Sequence, residues 1–127
     1  YAFVYFLFNL IVFFFFFQSG VLQKKIKLSE KGIFSSGCIS KVYNTFHIAT
    51  LDGTCVSLSQ ITFEIDWKIK LKSPIFASPC LINDDKEIIF TEVFGTLHCF
   101  DIFNGTNVSN IYYKLCFFSI ECPQRFL

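Results

Sequence analysis

The feature that most constrains this chain is an internal repeat with a period of 42 residues. When the sequence is shifted by 42 residues, positions 33–64 align with positions 75–106 without a gap. Six positions are identical, and several more, such as Ile48 with Phe90 and Leu58 with Phe100, are apolar in both copies. The identical pairs are Ile33 with Ile75, Phe34 with Phe76, Ser36 with Ser78, Cys38 with Cys80, Gly53 with Gly95, and Thr54 with Thr96. Because chance rarely places so many matches in one register, the middle of the chain consists of repeated structural units.

Each copy contains short segments rich in β-branched and aromatic residues, such as "TCVSLS" at 54–59 and "KEIIFTEV" at 86–93. Turn signals separate them, namely "LDG" at 51–53, "NDDK" at 83–86 and "NG" at 104–105. A period of about 40–45 residues made of such segments is typical of four-stranded β-propeller blades.

The strand patterns predict an all-β chain that is a fragment of a propeller. Residues 33–69 hold one full set of four strands, and three further strands follow up to residue 102, which makes about one and a half blades. Blades bury their faces against neighbouring blades, and about three or more repeats are needed for stability. We therefore expect that this fragment alone does not form a stable closed propeller.

The two ends of the chain differ in composition from the repeat. Residues 1–17 are apolar except for Asn9 and end in five consecutive phenylalanines, and the first charged residue is Lys24. A transmembrane anchor, a signal peptide and translated intron sequence are the three interpretations, and a helix is expected, if anywhere, in this segment. The leading one is intron read-through, because codons for "FFFFF" followed by Gln18 form a pyrimidine tract before CAG.

The same interpretation applies to residues 108–127, because Val108-Ser109 is encodable by a splice-donor sequence. The predicted organisation is therefore an apolar segment at 1–17, the propeller repeats at 18–107 and an unrelated tail at 108–127. The lysine-rich run at 23–31 follows the apolar segment and is either a positive-inside flank or a solvated strand or linker.

Net charge bounds the partners of the chain. The formal charge is +1 at pH 7, which gives no electrostatic reason to expect nucleic acid or an anionic membrane surface as a partner. A membrane partner is expected only if residues 1–17 are genuine protein and act as an anchor.

The repeats resemble those of the quinoprotein-like propellers, also called PQQ-like after pyrroloquinoline quinone. The characteristic run of that family is A-x-D-x-x-T-G-x-x-x-W. The pattern specifies five positions, which are Ala, Asp, Thr, Gly and Trp. In the first copy of the repeat these positions are occupied by Ser57, Ser59, Thr62, Phe63 and Trp67. In the second copy they are occupied by Cys99, Asp101, Asn104, Gly105 and Ser109. The family residue is kept at Thr62, Trp67, Asp101 and Gly105 only.

The resemblance implies that Trp67 caps an outer strand and docks on the neighbouring blade, where its indole N–H finds an acceptor. Gly53 and Gly95 are expected in tight turns that a side chain would strain. Phe34 and Phe76 complete the set of residues predicted to have structural roles.

Residues 30–107 further resemble the C-terminal propeller of adenylate-forming, amino-acid-activating enzymes, the beta-alanine-activating type of the acyl-CoA synthetase family. The segments that carry this likeness are "ATLDGTCVSLS", "SPIFASPCL" and "EVFGTLHCFD". It implies a scaffold or interaction role without catalysis, with the remaining blades and the adenylation and carrier domains of a larger ligase as partners, in the cytoplasm.

Residues that often carry chemistry are better explained by structure here. The six cysteines include no C-x-x-C pair, so buried free thiols are expected. His47 and His98 are expected to be structural, and Asp84-Asp85 to serve a hairpin turn. The family's quinone enzymes use an adjacent Cys-Cys pair, which this chain lacks, so we predict no catalytic, cofactor-binding or metal-binding residue. The alternatives are a fragment of a membrane-anchored, PQQ-dependent oxidoreductase and a small membrane protein in which the repeat is a coincidence.

Overall fold

The computed structural model describes residues 3–8, 11–16 and 22–112 and contains three antiparallel β-sheets with no helix in these residues. The N-terminal sheet has three strands, β1 (Phe3–Phe8), β2 (Ile11–Phe16) and β3 (Leu22–Lys27). The first blade has four, β4 (Cys38–Ser40), β5 (Thr45–Ala49), β6 (Thr54–Ser59) and β7 (Ile65–Lys70). The second blade has four, β8 (Cys80–Ile82), β9 (Glu87–Thr91), β10 (Thr96–Asp101) and β11 (Asn107–Tyr112). In every sheet, strands that follow each other along the chain are hydrogen-bonded neighbours.

The predicted all-β propeller architecture and its repeat are confirmed, since each strand of the second blade starts 42 residues after its counterpart in the first. The prediction of only three strands in the second blade is wrong. Residues 107–112 pair with β10 as a fourth strand, although they extend past the expected boundary at residue 107. This strand keeps the valine, isoleucine and tyrosine content that favours β-structure, even though it lacks the family's tryptophan.

A β-bulge marks the same place in all three sheets. The pairing between the last two strands shifts register between Ser57 and Leu58 in the first blade and between Cys99 and Phe100 in the second. In the N-terminal sheet the shift lies between Phe14 and Phe15. The strands β1, β2 and β3 therefore correspond to the second, third and fourth strands of a further blade.

The apolar N-terminal segment was the one place where a helix was expected, and its described residues form strands instead. Its phenylalanine, valine, tyrosine and isoleucine residues favour strands, and β1 and β2 pair along their full length. No helix among the described residues is long and apolar enough to cross a membrane. Intron read-through at either end stays a prediction, and residues 113–127 lie outside the described part.

Two buried clusters hold the sheets together, one on each face of the first blade. Alternation along β5 and β6 sends Phe46, Ile48, Val56 and Leu58 to one face, where they pack with Leu28 just after β3. The other face packs against the second blade in a cluster of Ala49, Cys55, Trp67, Ile75, Leu81, Ile88, Phe90, Phe100 and Ile102. The first blade is thus the middle layer, covered on both sides.

The turn between the second and third strands is built alike in both blades. The backbone N–H of Gly53 donates to the carbonyl of Thr50 at 3.1 Å, and that of Gly95 donates to the carbonyl of Glu92 at 2.9 Å. Both glycines have a positive φ, 88° and 96° respectively. Gly53 is also tightly enclosed, because a Cβ there would lie 2.6 Å from the carbonyl oxygen of Leu71.

Replacing Gly53 by alanine is expected to lower the free energy of unfolding by about 2 kcal/mol, because the left-handed backbone and the nearby carbonyl both oppose a Cβ. Gly32→Ala is the matched control, since its Cβ would meet only a side-chain atom of Leu51 at 4.0 Å. Urea denaturation of both variants checks this. Equal losses in the two variants would contradict the assigned role of the Gly53 turn.

Candidate functional site at the interface between the two blades

The turn between β10 and β11 carries the family motif of the second blade. The carboxylate of Asp101 accepts hydrogen bonds from the backbone N–H groups of Phe103 at 2.8 Å and Asn104 at 3.2 Å. The side-chain oxygen of Asn104 in turn accepts from the N–H of Thr106 at 2.8 Å. Gly105 closes the turn with φ +72°. Each residue type in the motif thus satisfies one geometric need of the turn.

The turn between β6 and β7 makes the same bonds with different residues. The hydroxyl of Ser59 takes the place of the aspartate and accepts from Ile61 at 3.1 Å and Thr62 at 3.2 Å. The hydroxyl of Thr62 accepts from the N–H of Glu64 at 3.3 Å. Phe63 stands in the glycine place and still has a positive φ, +59°. The turn geometry is therefore retained although only Thr62 keeps the family residue.

Trp67 joins the two blades. It projects from β7 onto the second blade and is 8% exposed. Its indole N–H donates to the backbone carbonyl of Ile102 at 2.8 Å, and its ring lies 6.5 Å from Phe90 and 6.2 Å from Phe100 between centroids. A Cβ at Gly105 would approach the indole to 2.8 Å. The glycine therefore supplies the flat surface on which the tryptophan rests.

A buried polar contact also crosses between the blades. The hydroxyl of Ser40 donates to the carboxylate of Asp85 at 3.0 Å, and both residues are buried. Asp85 lies in the predicted hairpin turn with φ +64°, but it reaches the other blade as well. The sequence contained no signal for this contact, because the repeat counterparts of these residues are Ile82 and Tyr43.

His47 is fully buried in the first blade and lies beside Trp67, with ring centroids 6.0 Å apart. Burial lowers its pKa from 6.5 to about 4, although the negative charge of Asp85 works in the opposite direction. The ring is therefore neutral at pH 7. Its Nδ1 and the hydroxyl of Ser57, on the directly opposed residue of β6, make no hydrogen bond to the described residues.

The cysteines of the described region divide into two kinds. Cys38, Cys55 and Cys99 are not disulfide-bonded; Cys55 and Cys99 are buried, as predicted, whereas Cys38 is only partly buried. Cys80 is disulfide-bonded, so the expectation of a free thiol is wrong there. Burial raises the pKa of the Cys55 thiol well above its usual value, and the charges of Glu92 and Asp52 add to the rise. This thiol therefore stays protonated and is a poor nucleophile.

The predicted residues Phe34 and Phe76 lie in the equivalent linkers that lead into the first strand of each blade. Their rings meet edge to face with centroids 5.3 Å apart. Phe34 is 69% exposed and belongs to neither buried cluster. Phe94, at the turn before β10, is 70% exposed at the same end of the sheets. The structure therefore places an aromatic surface here, not a core contact.

Asp52 organises the turn before β6. Burial alone would raise its pKa, but hydrogen bonds from Thr50, Thr54 and Lys70 hold the pKa of the carboxyl well below its usual 3.8. The ammonium of Lys70 lies 3.2 Å from the carboxylate, and the N–H of Thr54 donates to it at 3.1 Å. Asp52 also borders an open cleft of about 340 Å³ with Lys27, Leu28, Ser29, Glu30, Thr54 and Lys68.

No group of three or more histidine, cysteine, aspartate or glutamate side chains in the described parts of the chain is placed to hold a metal ion. The carboxylate of Glu92 and the ring of His98 lie 3.3 Å apart and form a local pair within the second blade. What the structure shows at this place is a packed contact between two sheets.

Replacing Trp67 by phenylalanine is expected to lower the free energy of unfolding by about 2 kcal/mol, because apolar area is lost and the carbonyl of Ile102 is left without its donor. The exposed Phe34→Leu should change it by less than about 0.5 kcal/mol. Circular dichroism during urea unfolding compares the two. Equal free energies of unfolding for Trp67→Phe and Phe34→Leu would contradict the role assigned to Trp67 at the interface.

Replacing Asp52 by asparagine is expected to cost about 1 kcal/mol at pH 7, because the hydrogen bonds to the carboxylate are charge-assisted. The folded pKa of Asp52 is depressed, so its contribution is present above pH 3.8 and is lost as pH falls further. Burial of His47 produces a separate loss between pH 6.5 and about 4. The urea concentration at the midpoint of unfolding, measured at decreasing pH, checks this. The midpoints of Asp52→Asn and of the parent chain should coincide only at the lowest pH.

No family model matches the chain. A beta-alanine-activating enzyme of Drosophila melanogaster is 27% identical over 81 residues, which cover 63% of this chain and 8% of that protein. The chain therefore spans only a small part of this relative, and the match does not show that the chain has the relative's activity.

Solved structures share the fold at low sequence identity. BamB from Moraxella catarrhalis superposes with a TM-score of 0.70 at 20% identity, over 83% of this chain and 30% of that one. U3-55K gives 0.77 at 6% identity, over 88% and 36%. A europium-containing methanol dehydrogenase gives 0.70 at 14% identity, over 87% and 22%. These likenesses show the fold alone, which is that of consecutive blades of a β-propeller.

Proposed function

We propose that this chain is a non-catalytic scaffold and interaction fragment from the propeller of a larger adenylate-forming, amino-acid-activating enzyme of the beta-alanine-activating type. The observation that carries the proposal is the 27% identity over 81 residues to the beta-alanine-activating enzyme. The aligned 81 residues are too many to lie outside the repeat, so the match must include part of it. The repeat is also the part of the chain that forms the Trp67 contact between the blades.

In this proposal, the chain holds its surface turns in fixed positions, where they can bind other protein domains. Sheets packed on both faces of the first blade hold their turns in fixed positions, and loops on a rigid scaffold are the usual carriers of binding. One end of the sheets displays Phe34 and Phe94, and the turns at the opposite end display Val42, Ile61 and Phe103. Exposed aromatic and aliphatic side chains at both ends are suited to contacts with other protein domains.

The partners in this proposal are the remaining propeller blades and the adenylation and carrier domains of the same polypeptide, in the cytoplasm. The parent would activate a small amino acid such as beta-alanine as an acyl-adenylate and load it on a carrier thiol. In such an enzyme the propeller docks the other domains and takes no part in bond making. The neutral, buried His47 and the protonated Cys55 are consistent with a propeller that takes no part in catalysis.

Immunoprecipitation from the source cells with an antibody against this chain tests the proposal. We expect a polypeptide much longer than 127 residues, recovered from the soluble fraction, with ATP–pyrophosphate exchange that depends on beta-alanine. Excess purified chain should compete for the antibody and remove both the long polypeptide and the exchange activity, which provides the control.

The alternative of a membrane-anchored, PQQ-dependent oxidoreductase gives a different result in the same preparation. The precipitated protein would then come from the membrane fraction, and addition of PQQ with calcium would change its quinone absorbance. Either that result, or a long polypeptide without amino-acid-dependent exchange, contradicts the proposed function.

A further inference from the structure

The segments that lead from the last strand of one sheet to the first strand of the next cross the same end of the sheets. The first linker, residues 28–37, joins β3 to β4, and the second linker, residues 71–79, joins β7 to β8. The backbone N–H of Ser36 donates to the hydroxyl of Ser78 at 3.0 Å, so the two linkers contact each other. Because blades pack face to face, further blades would cover the faces of the sheets and leave this end open.

Three phenylalanines lie at this end. Phe34 of the first linker and Phe76 of the second meet edge to face, with ring centroids 5.3 Å apart. Phe94 belongs to the turn before β10, which is fastened to the second linker because the N–H of Val93 donates to the carbonyl of Pro74 at 2.9 Å. Phe34 is 69% exposed and Phe94 is 70% exposed. Large apolar side chains that are grouped on a surface, and not scattered singly, mark interaction sites.

The same end carries positive charge that no neighbouring acid neutralises. Each described acidic side chain here already has a partner, namely Glu30 with Lys27 at 2.9 Å, Asp52 with Lys70 at 3.2 Å and Glu92 with His98 at 3.3 Å. The exposed ammonium groups of Lys31 and Lys72 form no ion pair with the described residues. Lys31 precedes Phe34 in the first linker, and the N–H of Lys72 donates to the carboxylate of Glu92, next to the turn that carries Phe94.

We propose that this linker end, formed by Phe34, Phe76, Phe94, Lys31 and Lys72, binds an acidic peptide segment that also carries aliphatic or aromatic side chains. The rings bury the apolar side chains of the peptide, and the two lysines attract its carboxylates. A basic peptide is disfavoured because it brings like charges together. The surface consists of residues of this chain alone, so the proposal does not depend on which larger protein contains the repeats.

Selection from a phage-displayed library of random short peptides on the immobilised full chain tests this proposal. We expect the selected peptides to be enriched in aspartate or glutamate together with leucine, isoleucine or phenylalanine. Fluorescence anisotropy of a labelled selected peptide then gives its dissociation constant. Phe94→Ala and Lys72→Glu should each raise that constant about tenfold. Added salt should raise it as well, because it screens charges on the surface.

Phe103→Ala is the matched control. Phe103 is 58% exposed at the opposite end of the sheets, and its ring meets that of Tyr43 edge to face at 4.8 Å. The variant therefore also removes an exposed ring that has one aromatic neighbour, and it should change the dissociation constant by less than about twofold. Circular dichroism of the three variants checks that each remains folded, as expected for exposed positions.

A selection that yields no peptides, or peptides without acidic residues, would overturn the proposal, as would equal losses for Phe103→Ala and Phe94→Ala. Two other occupants are distinguished with the same proteins. Self-association that Phe94→Ala abolishes in sedimentation would assign the surface to a second copy of the chain. Tighter binding of single-stranded oligothymidylate than of the selected peptide would assign it to nucleic acid. Either result also contradicts the proposal, and neither bears on the exchange activity of the parent enzyme.

Discussion

The contact between Trp67 and the second blade is the interaction on which the rest of the structure depends. A blade is a thin sheet with two apolar faces, and it is stable only if both are covered. Trp67 contributes the largest side chain of the cluster that joins the blades, and its hydrogen bond to the carbonyl of Ile102 sets the position of one sheet on the other. Shape and polarity are both satisfied by one residue.

The turn between the third and fourth strands provides the surface for that contact. Asp101 and Asn104 hold the backbone through their side-chain oxygens, and Gly105 leaves the space that the indole occupies. The first blade makes the same turn with Ser59 and Thr62. Since hydroxyl, amide and carboxylate oxygens all accept hydrogen bonds, the geometry survives while the residues change. This explains why the motif is only partly kept in each copy.

Polar groups between the blades play a different part. The Ser40–Asp85 hydrogen bond and the neutral ring of His47 lie inside an otherwise apolar contact. Buried polar groups stabilise little in themselves, but they penalise any arrangement that leaves them unpaired. They therefore favour one alignment of the blades over others.

The sequence alone determined the all-β class, the 42-residue period and most turns, because strand patterns and glycine or aspartate turn signals are local. It also pointed to Trp67, through a family motif. The tertiary structure alone decided that β1, β2 and β11 are paired strands, because pairing with a neighbouring strand is a property that the composition of the two ends does not specify. The Ser40–Asp85 contact and the exposed position of Phe34 were equally out of reach, because burial depends on which sheet lies opposite, and residues 45 positions apart along the chain carry no local sign that they meet.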